Sequence, residues 1–471
     1  MRPSPSVKEI PYTPDTALWF IHLKDWRHPI WLDSGRPLSH YGRYDILAAE
    51  PDCYLETCDT HTRIYQDDGH YHSSDASPFA LIEQHRPSPL ASVDGLPFVS
   101  GAMGYFGYDL GRHTNPLTRD KPRDVQLPDM WLGFYPWALI QDHQQQRAFL
   151  VARPDYPLSS IGAHLNRPAS EQDLKQFLKT SENIFKISNF KRNMEAGSYL
   201  SSLAQIQAYI DSGDCYQVNF AQRFSADCTG DPLTAYLKLR QILPSPFSGY
   251  IPMTQGAVMS FSPERFIRLH EGHAEAKPIK GTMARGETLE KDRQAALRLQ
   301  ASTKNRAENL MIVDLLRNDL SKSCHRVQVP QLCELQSFAN VHHLVSTVTG
   351  QLNAGASDLD LLMGCFPGGS ITGAPKIRAM EIIDELEPCR RSVYCGSLGY
   401  LSADGGMDTS IAIRTLVRDR GRIHCWGGGG IVADSDPREE YRESLAKVAL
   451  LMTSLEQDFG PKNSNSGYWP Q

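Results

Sequence analysis

The sequence predicts an α+β fold, and three observations carry that prediction. Short β-favouring runs separated by turn signals dominate residues 15–160. Apolar residues at helical spacing begin near residue 198 and recur in several later segments. Strand-like and helix-like stretches are mixed after that point, with no internal repeat.

Taken in order, Leu18-Trp19-Phe20-Ile21, Ile30-Trp31-Leu32, Tyr44-Asp45-Ile46-Leu47 and Ala148-Phe149-Leu150-Val151 read as strands. Asp33-Ser34-Gly35 and Asp67-Asp68-Gly69 supply turns between some of them. Residues 156–190 hold fewer apolar side chains and read as a connection running into the next helix. Tyr199, Leu203, Ile206 and Ile210 then share one helical face, and Gly213 stops that helix. Leu289 to Leu320 predicts one or two long helices. Pro375 to Leu386 and Pro437 to Leu455 each predict a helix opened by proline. Residues 1–165 form an expected β-rich N-terminal subdomain and 166–458 a catalytic region. Residues 459–471, rich in Asn, Ser, Gly and Pro beyond Gly460, read as a disordered tail.

Composition narrows the function classes. The 471 residues are enough for two or three core-sized units. The hydrophobic and charged fractions, 41% and 22%, are those of a globular chain. A net charge of −6 with no basic stripe argues against nucleic acid as a partner. No secretory leader and no membrane-spanning apolar run is expected. The ten cysteines include no Cys-x-x-Cys pair, so reduced thiols in a cytoplasmic protein are expected rather than zinc or disulfides.

Several stretches carry chemistry on their own terms. Glu440, Glu443 and Lys447 share one face of the last predicted helix, either as a surface charge stripe or as part of a site. Glu308 lies on another helix. Three carboxylates from two helices would suit a hard divalent cation such as Mg2+. The run Gly427 to Gly430 follows a β-like stretch and reads either as a tight turn or as backbone that approaches an anion closely. Arg414 offers a fork for a carboxylate. In Val341-His342-His343-Leu344-Val345-Ser346 a strand pattern sends the two histidines to opposite faces.

Together these stretches resemble one family, the chorismate-utilising enzymes. The resemblance rests on an ordered set: Gly213-Asp214-x-x-Gln217-Val218-Asn219, Ser262-Pro263-Glu264-Arg265-Phe266, Pro278-Ile279-Lys280-Gly281-Thr282, Arg306-Ala307-Glu308-Asn309 with Asp314 to Asp319, His343-Leu344-Val345-Ser346, Gly373-Ala374-Pro375-Lys376, Ile413-Arg414-Thr415 and Gly428 to Ser435. It implies a large two-sheet β-sandwich core with flanking helices. It implies magnesium held by Glu308, Glu440 and Glu443, with the ring carboxylate of chorismate on the metal. Gly281, Thr282 and Lys447 would lie near that carboxylate. Tyr394, Arg414, Gly429 and Gly430 would hold the enolpyruvyl carboxylate, and His343 would lie by the ring. Ser370 stands where many relatives have Thr, and Asn305 where they often have an acid.

Two positions resemble the aminodeoxychorismate synthase branch. Lys280 replaces the alanine usual in anthranilate, isochorismate and salicylate synthases, and a neutral lysine is a nucleophile. Gln217 replaces the water-activating lysine of isochorismate and salicylate synthases, and an amide takes no proton near pH 7. The implied reaction is amination of chorismate at C4, with Glu264 as general acid and Lys280 forming an adduct at C2. Anthranilate synthase component I is the alternative, and a non-catalytic binding protein the alternative of another class. No Gly-x-Cys-x-Gly elbow is present, so ammonia is expected from solution or from a separate glutamine amidotransferase subunit. The resemblance also implies a tryptophan pocket lined by Ser34, Tyr41, Arg43, Tyr44, Pro246 and Phe247. An ordinary core between two sheets is the competing reading.

Overall fold

Alternate residues of the N-terminal strands enter different cores, which explains their unbroken apolar runs. In Ile30–Asp33 and Tyr44–Ala48, Ile30, Ile46 and Ala48 pack into one cluster. Trp31 and Leu47 pack into a second. A strand buried on both faces has no polar side to show. The computed structural model describes residues 2–39, 42–115, 117, 121, 123–182, 184–337 and 341–461.

These strands belong to one of two large, mainly antiparallel sheets. The first has thirteen strands. It runs from Ser6–Ile10 at one edge, through Ile30–Asp33, Phe247–Met253, Gly256–Ser262, Thr415–Asp419 and Arg422–Ile431, to Gln217–Thr229 and Lys186–Ile187. The second has twelve and includes Gly101–Phe106, Met130–Tyr135, Arg265–His270, Ile279–Ala284, Val341–Leu352, Ser397–Ser402 and Met407–Ile411. Each sheet takes strands from both sides of residue 165. One core lies between the sheets, with Tyr105, Trp131, Val258, Ile267 and Leu398 among its members. The other lies under helices on the outer face of the first sheet, where Trp19, Trp31, Tyr199, Tyr236, Leu445 and Val448 meet. The architecture is the expected α+β two-sheet core with flanking helices.

Two of the places where the chain passes from one sheet to the other lie against each other. The chain leaves the first sheet at Ser262 and enters the second at Arg265. It leaves the second at Ile411 and re-enters the first at Thr415. The two crossings are bonded to each other. Ile411 N donates to Glu264 O at 3.1 Å, and Phe261 N donates to Arg414 O at 3.1 Å. Such corners are where a two-sheet fold exposes its interior.

Several local readings change. Leu18–Ile21 is helical, within Ala17–Leu23, because Trp19, Phe20 and Leu23 bury a helix face. Tertiary burial overrides β propensity there. Residues 156–190 hold two helices, Leu158–His164 and Glu171–Glu182. The segment from Leu289 is two helices, Leu289–Ala301 and Thr303–Ser321, broken at Ser302, whose hydroxyl caps the second. The glycine run is neither a turn nor a cradle of consecutive N–H groups. All four glycines lie inside the strand Arg422–Ile431, paired with residues 219–222 of Gln217–Thr229. The last helix extends from Pro437 to Phe459, and Phe459 is buried. Residues 462–471 of the expected tail lie outside the described residues. All ten cysteines are free thiols. No described helix is long and apolar enough to cross a membrane.

Between its pairings with Gly373–Ala374 and Lys191–Arg192, the edge of Gln217–Thr229 is completed by side chains rather than by a strand. Ala221 N donates to Glu387 Oε1 at 2.9 Å, and Arg391 Nη2 donates to Asn219 O at 2.7 Å. Arg391 also pairs with Glu387 at 2.6 Å and donates to Ile371 O at 2.9 Å. Arg391 is almost fully buried. Replacing it by methionine strands a buried carboxylate and two carbonyls. Arg391→Met should therefore cost about 3–5 kcal/mol, read as a fall in the chemical-denaturation midpoint, or prevent folding.

Candidate active site

The two bonded crossings carry Glu264 and Arg414, and a β-bulge adds Lys280. Opposite Val341–Leu352, Ile279 pairs with Val345, but Thr282 pairs with His343. One extra residue is accommodated, and Gly281 takes φ +86° to do so. A Cβ at Gly281 would lie 3.0 Å from Asn305 Cγ and 3.1 Å from Leu299 Cδ1. Glycine is thus required both by backbone conformation and by the helix packed above it. The bulge re-aims Lys280, whose Nζ donates to Ser370 O at 3.4 Å. Ser370 Oγ in turn donates to Glu264 Oε1 at 3.2 Å. Ser370 therefore links the lysine to the acid.

Electrostatics sets the protonation of this pair. Burial pushes the Glu264 carboxyl up to about 7, against the downward pull of Lys280, Ser370 and Lys447. Burial also lowers the Lys280 pKa, opposed by Glu264, Glu308 and Glu443 and assisted by Lys447. Each group costs free energy when charged here, and each is the other's partial compensation.

Around them the anion-binding candidates converge by register. Asn219 pairs with Gly430 and Phe220 with Gly429. A Cβ at Gly430 would lie 3.0 Å from Gln217 Nε2, so Gln217 and Gly430 share a face. Both amide atoms of Gln217 are buried without a hydrogen-bond partner. A Cβ at Gly427 would lie 2.0 Å from Ser444 O, which lets the last helix press on the strand. Strand Thr415–Asp419 pairs this strand only as far as Leu416 opposite Cys425, so the glycines have a described strand on one edge only. Arg414, half-buried at φ +50°, has no carboxylate partner among the described residues, and burial lowers its pKa. Tyr394 stacks on Trp426 with ring centroids 5.8 Å apart. The two histidines diverge as the strand pattern requires. His343 Nδ1 meets Thr282 Oγ1 at 2.8 Å, whereas His342 Nε2 lies 3.0 Å from Asp292.

Two of the three glutamates, Glu440 and Glu443, lie against Gly429, and Glu308 and Glu443 both act on Lys280. A Cβ at Gly429 would find Glu440 Oε2 at 3.1 Å, Glu443 Oε1 at 3.7 Å and Lys447 Nζ at 3.8 Å. Glu440 accepts from Ser435 Oγ at 2.7 Å, and Lys447 Nζ bridges Glu443 at 2.7 Å and Gly428 O at 2.9 Å. Glu308 has no hydrogen-bond partner among the described residues. Burial raises its pKa, and Glu443 adds to that rise. Burial and Glu443 likewise raise Glu440. Burial also acts upward on Glu443, but Lys447 outweighs it and holds that carboxyl low. Among the described residues no three acidic or imidazole groups stand as a closed ion cage. The donor set nonetheless fits a hard cation that keeps several waters, because the carboxylates are recessed, mutually repelling and oxygen-only.

Sequence reasoning missed Lys304 and Ser435. Lys304 Nζ lies 3.6 Å from Glu440 Oε1. Its signal was present: Lys304 stands four residues before Glu308 and hence on the same helix face. The residues expected to line a tryptophan pocket meet at a cavity of about 460 Å³ between the sheets, whose lining does not include Lys280. Ser34, Arg43, Tyr44, Pro246 and Phe247 all line it, and Tyr41 lies outside the described residues.

Comparison with known proteins agrees with this geometry. Residues 27–453 match the family of chorismate binding enzymes. Aminodeoxychorismate synthase component 1 of Salmonella typhimurium is 44% identical over 96% of this chain and 99% of its own length. That of Escherichia coli is 43% identical with the same coverage. The crystal structure of anthranilate synthase component I from Streptococcus pneumoniae superposes with a TM-score of 0.74 at 31% identity, covering 88% of this chain and 93% of that one. An ordered motif set, a lysine and an acid joined through Ser370, and full-length likeness to these proteins place the chain in the family of chorismate binding enzymes.

Proposed function

We propose that this chain aminates chorismate at C4, giving 4-amino-4-deoxychorismate on the way to 4-aminobenzoate and folate. The observation that carries the reading is the bulged Lys280, desolvated beside a buried Glu264. The identity of 43–44% to aminodeoxychorismate synthase component 1 chains, against 34% to the anthranilate synthase component 1 of Aquifex aeolicus, supports it.

In this mechanism Glu264 gives its proton to the C4 hydroxyl, which departs as water. The neutral Lys280 amine adds at C2 as that bond breaks, and the ring double bond shifts. Ammonia then adds at C4 and the lysine leaves as free amine. One proton from the new ammonium restores Glu264, so the enzyme is returned unchanged. The enolpyruvyl ether is retained throughout. Arg414 and the glycine strand would hold the enolpyruvyl carboxylate, with Tyr394 beside them. Gly281, Thr282 and His343 would line the ring. Glu308, Glu440 and Glu443 would hold Mg2+, which would supply positive charge to the ring carboxylate when bound. Gln217, an amide with unused donors and an unused acceptor, would contact substrate or ammonia without activating water.

The designation component 1 of the relatives supports a separate glutamine amidotransferase as the ammonia source. Free thiols throughout support a cytoplasmic protein. Tryptophan is the proposed occupant of the cavity lined by Ser34 and Phe247. Tryptophan released from the native protein on denaturation, and lost in Ser34→Leu, would support that occupant. A native protein that releases none excludes it.

Lys280→Ala should lower 4-amination by about a thousandfold or more, as deletion of a covalent nucleophile does. Chromatography of the products from chorismate and ammonia checks this, and unimpaired 4-amination by the variant would sink the covalent route. Accumulation of anthranilate by the wild-type chain would favour the C2 reading instead.

The pH profile follows from the pair. The productive state carries one proton shared between Glu264 and Lys280. Activity should rise through about pH 7 as the doubly protonated pair loses a proton. It should fall on the alkaline side below the ordinary lysine value of 10.5, as the second proton leaves. Glu264→Gln should lose the alkaline fall, because only Lys280 then titrates and its neutral form persists. It should also slow the reaction by about 10²–10⁴-fold. A kcat/KM profile of each protein tests both statements.

A further inference from the structure

Lys304 and Lys447 both carry positive charge to the glutamate cluster, but they are held differently. Lys447 is fixed at two points, Glu443 and the carbonyl of Gly428. Among the described residues Lys304 makes one long contact, 3.6 Å to Glu440 Oε1. Its side chain is 45% exposed, whereas that of Glu440 is 6% exposed. Lys304 thus reaches in from solvent over a recessed carboxylate, from the same helix face as Glu308. Its charge acts on Glu308, Glu440 and Glu443 alike.

We propose that Lys304 is a displaceable internal counter-ion for the three glutamates, neutralising them in the cation-free protein and yielding to solvent when a divalent cation enters, so that it sets the affinity for that cation. The inference rests on the reading that Glu308, Glu440 and Glu443 hold the metal. Three properties of this side chain suit the role. A single 3.6 Å contact is cheap to give up, since it is longer than a hydrogen bond and the lysine that makes it is 45% exposed to water. The four-carbon stem can swing the ammonium into water without moving the helix. An ammonium left beside a dication would repel it, so the lysine has a reason to leave. The fixed Lys447 cannot serve this way without breaking two bonds. The cluster therefore holds one permanent cation and one exchangeable one.

The test is direct titration of the purified full chain with Mn2+, an EPR-visible ion of similar oxygen preference, without substrate. Lys304→Met should bind Mn2+ about three- to tenfold more tightly than wild type at low salt, the range expected for removing one partly exposed like charge. Lys304→Arg should match wild type, since it restores the charge. Lys175→Met, on the distant helix Glu171–Glu182, should also match and so exclude a general net-charge effect. The gain in Lys304→Met should shrink in about 0.5 M KCl as screening shortens the reach of the charge. Equal or weaker binding by Lys304→Met, alongside binding that Glu308→Gln abolishes, overturns the counter-ion role while leaving the metal site standing. Absence of Mn2+ binding by wild type, or its survival in Glu308→Gln, overturns the metal reading and the counter-ion role with it.

Discussion

Burial of an amine and a carboxyl at the same end of the two-sheet core governs the rest of this structure. Neither Lys280 nor Glu264 can be solvated as it would be in water, and each shifts toward its neutral form. Ser370 lies between them, accepting from the lysine through its carbonyl and donating to the acid through its hydroxyl. A neutral amine and a protonated acid are the two species that the proposed displacement of a hydroxyl by nitrogen would use. Desolvation shifts both groups toward those forms, without a contact ion pair that would favour the charged ones.

That burial depends on where the chain changes sheets. Glu264 occupies one crossing and Arg414 the other, and backbone hydrogen bonds tie the crossings together. Regular strands would send their side chains alternately into core and solvent. A crossing breaks the alternation and can direct a polar group along the gap between sheets. The bulge at Lys280 and Gly281 does the same within one strand. Three irregularities in the sheets thus bring these polar groups together at the end of an apolar sandwich. The glycine strand serves this arrangement by omission. Side chains at 427, 429 and 430 would strike the last helix, the glutamates and Gln217 in turn. Glycine weakens a strand, and here the loss is offset by close approach of the helix that carries Glu440 and Glu443.

Much of this was legible in the residues. The helix around Tyr199 and Ile206, the C-terminal helix, and strands such as Tyr44–Ala48 follow from periodicity. The divergence of His342 and His343 follows from strand alternation. The segment Leu18–Ile21 did not follow, because its aromatic side chains satisfy either a strand or a buried helix, and only the outer core chooses. The glycine run misled for a related reason. Locally, four glycines suit a tight turn or a close approach to an anion, whereas pairing with Gln217–Thr229 holds them extended.

The order of residue types along the chain carried the proposed chemistry by itself: a lysine where an alanine would leave nothing to attack with, a glutamine where a lysine would activate water, and three glutamates on two helices. Such facts are local, since a side chain's reactivity class travels with its identity. Tertiary structure alone decided the state of those groups. Whether Lys280 is charged, whether Glu264 holds a proton, and which lysine stands over Glu440 depend on desolvation and on distances between residues far apart in sequence. Those quantities arise from packing two sheets and a helix layer together, and periodicity within one segment contains no information about them.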